Sequence, residues 1–354
     1  AMNRNEFLAF VGAPTTDRST SLAQQCLPGL VPAHGQSDSL AGRFPELGGR
    51  LGDVQAQGRL YSGKVRDRID LGSRVLMFTS DRVSAFDVIL GLVPCKGEIL
   101  NRISLFWFEQ TADIIANHVI QPVGGRGLLA RKASVLPVEV VVRAYLTGSA
   151  WRDYQAGRPV SGVVFPAGLC KDQRLPAPVL TPSTKEALGS HDQPISGAEI
   201  VRRGLVPAAT WAAVEKAALA LFARGTEIAA KNGLILVDTK YEFGLVSEGP
   251  DAGKLLLVDE IHTPDSSRFW YADTYESLFA SGAEQRKLDK EYLRAWLMDQ
   301  GWSGQGQPPA IPDEVYIELA WRYVQAFQEI TGQDFSPVSR DLKAEAASLL
   351  SVLR

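Results

Sequence analysis

The chain has 354 residues, 45% of them hydrophobic and 22% charged, with 37 basic against 40 acidic side chains and a net charge of −3. This is ordinary globular composition for about two domains, and the balanced charge gives no reason to expect a nucleic-acid or membrane partner, so any anion site must be local. Cys26, Cys95 and Cys170 are far apart and form no CxxC pair, which argues against a disulfide framework and a zinc site and fits a reducing, cytoplasmic compartment. No apolar run approaches the ~18 residues of a membrane span, and the first residues lack the charged-then-apolar pattern of a secretion signal.

Residues 1–58 are weakly patterned, rich in Gly, Pro, Ser and Gln, and read as an extension with low order and one short helix. From Arg59 the pattern sharpens. Residues 59–71 and 74–80 read as two strands around a turn at Gly72 and Ser73. Residues 138–144, β-branched and apolar, read as a third strand. These make an antiparallel, β-rich first part.

The second part mixes helices and strands. Trp211, Val214, Ala218, Leu221, Phe222 and Ile228 fall at helical spacing, with Gly233 as the stop. Residues 234–245 read as a strand, 249–253 as a loop and 254–261 as the return strand. Pro312 opens a last helix with Asp313 and Glu314 in its first turn. Its core stripe is Tyr316, Leu319, Tyr323, Val324, Phe327 and Ile330, and Gly332 ends it.

Four segments carry chemistry. In Tyr61-Ser62-Gly63-Lys64-Val65-Arg66-Asp67, a glycine permits close backbone approach and two cations at alternate positions can share a face. That suits a phosphate chain, and equally an ordinary hairpin with a solvated basic side. In Asp238-Thr239-Lys240-Tyr241-Glu242-Phe243, alternation puts Asp238, Lys240 and Glu242 on one face. The apolar run before them implies burial, which charges tolerate only when paired or metal-bound. Asp259 on the return strand would give Glu242 a carboxylate neighbour suited to Mg²⁺; a self-neutralising surface strand fits as well. Arg268, within a loop that ends in Phe269 and Trp270, and Arg143, before Thr147-Gly148-Ser149, are candidate phosphate anchors; each also fits a plain turn. Thr181-Pro182-Ser183-Thr184-Lys185, with His191 and Asp192 downstream, is a polar loop able to close over a substrate.

Taken in order, these stretches resemble the SAICAR synthetase family. The match adds residues 79–87 (Thr-Ser-Asp-Arg-Val-Ser-Ala-Phe-Asp), 136–143 (Leu-Pro-Val-Glu-Val-Val-Val-Arg) and Lys287-Leu288-Asp289-Lys290, and runs from about Arg59 to the C-terminus. The resemblance implies an α+β fold with a β-rich ATP-binding lobe over a mixed α/β lobe and the nucleotide in the cleft. On that basis residues 1–58 are an extension, 59–142 the nucleotide-binding lobe and 143–354 the lobe completing the ATP, CAIR and aspartate sites. The implied reaction ligates L-aspartate to CAIR with ATP, through an acyl phosphate.

By the same resemblance Gly63, Lys64, Val65 and Arg66 hold the ATP phosphates, and the Glu139 strand offers backbone groups to adenine. Arg143, Ser149 and Arg268 hold the ribonucleotide phosphate. Asp238 and Lys240 sit at the reacting carboxylate, Glu242 and Asp259 bind Mg²⁺, and Lys185 and Asp192 lie near the aspartate. The expected partners are small molecules, in a monomer or small homo-oligomer. A kinase-like phosphotransferase shares the nucleotide cleft, but the HRD and DFG signatures are missing from the sequence. A catalytically dead nucleotide sensor is disfavoured because every charged position expected at the site is filled.

Overall fold

The computed structural model describes residues 2–10, 59–63, 65–86, 88–185, 192–288, 291–338 and 342–352. In chain order they form α1 (Arg4–Phe10), β1 (Leu60–Ser62), β2 (Arg66–Asp70), β3 (Arg74–Thr79), β4 (Arg82–Ala85), β5 (Val88–Leu92) and α2 (Lys96–Gln110). Next come β6 (Val119–Val123), β7 (Gly127–Arg131), β8 (Ala133–Val135), β9 (Val138–Leu146), α3 (Gly148–Gln155), β10 (Gln173–Leu180) and β11 (Ser183–Thr184). The rest is α4 (Gly197–Arg202), α5 (Ala208–Lys231), β12 (Leu234–Val246), β13 (Leu255–Val258), β14 (Ser267–Tyr271), α6 (Ala272–Ser281), α7 (Glu291–Asp299), α8 (Asp313–Thr331) and α9 (Leu342–Val352). Contacts divide the chain into two compact units: Ala1–Leu105 with Val119–Lys132 and Asp289–Arg354, and Phe106–His118 with Ala133–Leu288.

The first unit is built on an antiparallel sheet of order β1-β2-β3-β7-β6. Period-two alternation in β2 buries Asp67 and Ile69 while Arg66, Arg68 and Asp70 stay half-exposed. Ile69, Leu76, Phe78, Val123 and Leu129 form the core of this sheet, closed by Leu349 of α9. The strand expected over 59–71 is two strands, β1 and β2, paired antiparallel. Chain reversal at Gly63 breaks it, with the Gly63 N–H donating to the Arg66 carbonyl at 2.8 Å. The Gly72 turn forms as expected, at φ +84°, and an Asp70 carboxylate oxygen accepts the Gly72 N–H at 2.9 Å.

Two helices of this unit meet far across the sequence. Phe7 of α1 is fully buried, its ring centroid 5.8 Å from that of Trp321 on α8. Helix α8 carries the expected stripe: Leu319, Tyr323, Val324, Phe327 and Ile330 are buried. Its Tyr316 is half-buried and donates its hydroxyl to the Leu90 carbonyl at 2.7 Å. Gly332, at φ +69°, caps the helix in the left-handed conformation. Most of the expected extension, residues 11–58, lies outside the described residues.

The second unit centres on β12, a 13-residue strand. Strands β9, β13, β14 and β8 all pair with it antiparallel, and β10 and β11 pair with β9. Helix α5 buries Trp211, Val214, Ala218, Leu221 and Phe222 and packs on β12. The return strand β13 ends at Val258, short of the expected 261, because Asp259 takes φ +70° and leaves extended geometry.

Candidate active site

Strand register brings three charged residues into one row. Asp238 of β12 is paired with Arg143 of β9 on one side and Arg268 of β14 on the other. Directly opposed residues on adjacent strands point the same way, so two guanidinia converge on one carboxylate. Arg143 Nη1 donates to Asp238 Oδ2 at 3.0 Å, and Arg268 Nε donates to Oδ1 at 2.8 Å. A second Arg268 nitrogen, Nη2, donates to Oδ2. Arg143 reaches further, through Nε to the Thr181 hydroxyl at 2.8 Å and through Nη2 to the Ser149 hydroxyl at 3.2 Å.

Helix α3 begins at this row. Its N-cap, Thr147, makes no side-chain capping bond, so the row sits beside first-turn amides and the positive end of a helix dipole. Gly148 sits at φ +60°, and a Cβ there would lie 2.0 Å from Arg268 Nη1. Both the backbone angle and the approach of the guanidinium require glycine.

One step further along the same face lies a second cluster. Lys240 Nζ donates to Glu139 Oε1 at 2.7 Å and stands 3.9 Å from Glu242 Oε1. Lys185, on the loop after β11, pairs with the other Glu242 oxygen, Oε2. On regular pairing Asp259 would lie opposite Tyr241, since Glu242 is opposite Val258; its left-handed φ breaks that alternation.

In the first unit, Gly63 and Arg66 flank the turn between β1 and β2, and the Gly63 N–H and Arg66 carbonyl close it. Val65 is half-buried, and Lys64 lies outside the described residues.

The profile of the SAICAR synthetase family matches residues 59–309. The chain belongs to the SAICAR synthetase family. It is 46% identical over 284 residues to phosphoribosylaminoimidazole-succinocarboxamide synthase of Legionella pneumophila, covering 78% of this chain and 89% of that one. Among solved structures it resembles the SAICAR synthase of Saccharomyces cerevisiae complexed with SAICAR, at 32% identity and a TM-score of 0.68, covering 78% of this chain and 96% of that one. A SAICAR synthetase in complex with ADP matches at 26% identity and a TM-score of 0.60, covering 78% and 99%. The chain is therefore an ATP-dependent carbon–nitrogen ligase of purine biosynthesis with the α+β fold of its family, and the kinase-like alternative is not favoured.

Electrostatics separate the two clusters of this family member. Burial pulls the Arg143 pKa down and the Arg268 charge adds to that, while Asp238 opposes both. Burial raises Glu242, and so does the nearby Asp259 charge; Lys185 and Lys240 pull the other way without prevailing. Burial alone would lower Lys240, but Glu139, Glu242 and Asp259 together hold it above its ordinary value. Lys240 is thus a firmly charged ammonium.

Residues that the sequence does not single out also join the site. Asp192 is exposed, and Lys185 meets Glu242. Thr181 and Gly148 belong to the arginine row although only their motifs stood out in the sequence. Behind β12, on the face opposite the charges, the Tyr241 hydroxyl is hydrogen-bonded to His262 Nε2 at 2.6 Å. Burial lowers the His262 pKa to about 3, so the ring is neutral. Gly225 of α5 leaves room for it: a Cβ there would meet the imidazole at 2.5 Å. Among the described residues no helix is long and apolar enough to cross a membrane.

Proposed function

We propose that this chain joins L-aspartate to the carboxylate of CAIR, giving SAICAR, ADP and phosphate, and that the charged face of β12 divides the work. The observation that carries the reading is the Arg143–Asp238–Arg268 row, where two guanidinia face one carboxylate beside an uncapped helix start. The row keeps an excess of positive charge, and helix amides add to it. Such a site suits the phosphate of a ribonucleotide. Arg143, Arg268 and Ser149 grip that phosphate, and Asp238 keeps both guanidinia aimed. This places Asp238 and Lys240 along the ribonucleotide, with Lys240 at the end that carries the reacting carboxylate.

Glu242 and Asp259 suit Mg²⁺. They are carboxylates close enough for the charge on Asp259 to raise the Glu242 pKa, and a hard divalent cation relieves such repulsion. Among the described residues no three His, Cys, Asp or Glu side chains form a metal site of their own, so phosphate and water oxygens would complete the shell. When bound, Mg²⁺ shields the negative charge of the ATP phosphates.

The chain's own residues do the rest. Gly63, Lys64, Val65 and Arg66 hold the ATP phosphates, and the Glu139 strand offers backbone groups to adenine. Lys240 screens the negative charge as a CAIR carboxylate oxygen attacks the terminal phosphorus and ADP departs. The product is an acyl phosphate, a better electrophile than a carboxylate. The amine of L-aspartate, held near Lys185 and Asp192, then attacks the acyl carbon and phosphate leaves. ATP, CAIR and L-aspartate are the partners this reading requires. The widely spaced cysteines fit a reducing, cytoplasmic setting.

Arg268→Ala tests the assignment. A hydrogen bond to a charged group contributes ~1.5–3 kcal/mol, so CAIR affinity should fall roughly 10- to 100-fold while ATP affinity holds. Isothermal titration with each ligand checks this, and an equal loss for both contradicts it.

A further inference from the structure

The segment Ser80-Asp81-Arg82 has no part in the chemistry above, yet all three of its side chains are buried. One nitrogen of Arg82, Nη2, donates to the Gly63 carbonyl at 3.0 Å and to Asp67 Oδ1 at 2.9 Å. The Arg82 and Asp67 side chains are 8% and 0% exposed. Ser80 donates twice to the Val65 carbonyl, from its backbone N–H at 2.8 Å and its hydroxyl at 2.7 Å. Asp81 fixes the segment from behind: its Oδ1 accepts the Gly97 N–H at the start of α2 at 2.8 Å, and its Oδ2 meets Arg126 at 2.6 Å. The carbonyls of Gly63 and Val65, on either side of Lys64, are therefore both held by one buried segment.

A turn that receives phosphates must keep its carbonyl oxygens away from them, since like partial charges repel and only N–H groups and cations attract an anion. We propose that Arg82 is a positioning residue for ATP: its guanidinium, anchored by Asp67, holds the Gly63 carbonyl inward so that this oxygen does not face the phosphates. The inference rests on the reading that this hairpin holds the phosphates, and the test separates the two. Arg82 acts through the hairpin backbone and touches no reacting atom.

The experiment compares Arg82→Gln, Arg82→Lys, Asp67→Asn and Gly63→Ala for ATP KM, CAIR KM, kcat, ADP affinity and thermal midpoint. Arg82→Gln should raise ATP KM and weaken ADP about tenfold, the scale of a lost charge-assisted hydrogen bond, with CAIR KM unchanged. Arg82→Lys keeps a charged donor and should recover most of that loss. Asp67→Asn, which frees the guanidinium from its anchor, should shift ATP KM in the same direction. Gly63→Ala controls the reading itself, since a Cβ there would press on the Arg66 carbonyl at 2.9 Å. If Gly63→Ala weakens nucleotide and Arg82→Gln does not, the positioning role is overturned and the hairpin reading stands. If Gly63→Ala leaves nucleotide binding intact, the reading falls and takes the inference with it. Should Arg82→Gln fail to fold, Arg82→Lys and Asp67→Asn decide: equal losses for ATP and CAIR with lower thermal midpoints mean a structural role only.

Discussion

Two stretches of one strand face carry opposite charge. At the Asp238 end, Arg143 and Arg268 share a single carboxylate, leaving one positive charge in excess. At the Glu242 end, Lys185 and Lys240 stand among Glu139, Glu242 and Asp259, leaving one negative charge in excess. Fold stability gives no reason for either imbalance, because buried charges cost least when fully matched. The difference points to ligands of opposite sign, a phosphate at the Asp238 end and a divalent cation at the Glu242 end, four residues further along an extended strand.

The contrast can be broken most severely at its negative end. Glu242→Gln keeps shape and removes charge, and an amide is a poorer ligand for a hard cation. Turnover should drop about 10²- to 10³-fold, the scale of losing one preorganised electrostatic group, and the Mg²⁺ needed for half-maximal rate should rise. Full activity at low Mg²⁺, seen in initial-rate titrations, would withdraw Glu242 as a ligand. At the positive end a milder perturbation is Gly148→Ala, whose Cβ would displace the Arg268 guanidinium. CAIR KM should rise roughly tenfold and ATP KM should not follow; a rise in both would mean that the helix start, rather than the arginine, was disturbed.

The smallest effect is one of stability. Burial and Asp259 put the folded pKa of Glu242 above its ordinary 4.5, so the folded chain holds that proton more tightly than the unfolded chain. The stabilisation is present below the unfolded pKa and is lost as pH rises through the folded pKa. Without metal or nucleotide, Glu242→Gln should therefore melt above the parent at neutral pH, with the gap closing as pH falls toward the unfolded pKa. A parent that melts higher at neutral pH would show that the lysines outweigh the repulsion.

How much of this the sequence reveals depends on whether the cause is local. Alternation along 238–243 gave the charged face, because period two is a property of any strand. Apolar spacing gave α5 and most of the α8 stripe for the same kind of reason. The break at Gly63 is harder to read, since Leu60 and Tyr61 before it and Val65 and Ile69 after it all suit one continuous strand. By its pattern Asp259 belongs to a regular strand, and no composition signal marks its left-handed backbone angle. Arg82 looked like one more member of a matching motif, since its two acceptors lie 15 and 19 residues earlier in the chain. The burial of Phe7 against Trp321, and of Leu349 against the first sheet, joins segments too distant for any periodicity to connect.

In the proposed reaction CAIR's carboxylate is phosphorylated at the negative end of this face before aspartate attacks. CAIR labelled with heavy oxygen in that carboxylate tests it directly, by mass analysis of the phosphate released during turnover. One labelled oxygen is expected in each phosphate, with Glu242→Gln suppressing label transfer and SAICAR formation together. Unlabelled phosphate accompanying SAICAR would mean that water takes the phosphoryl group and that the carboxylate is activated in another way.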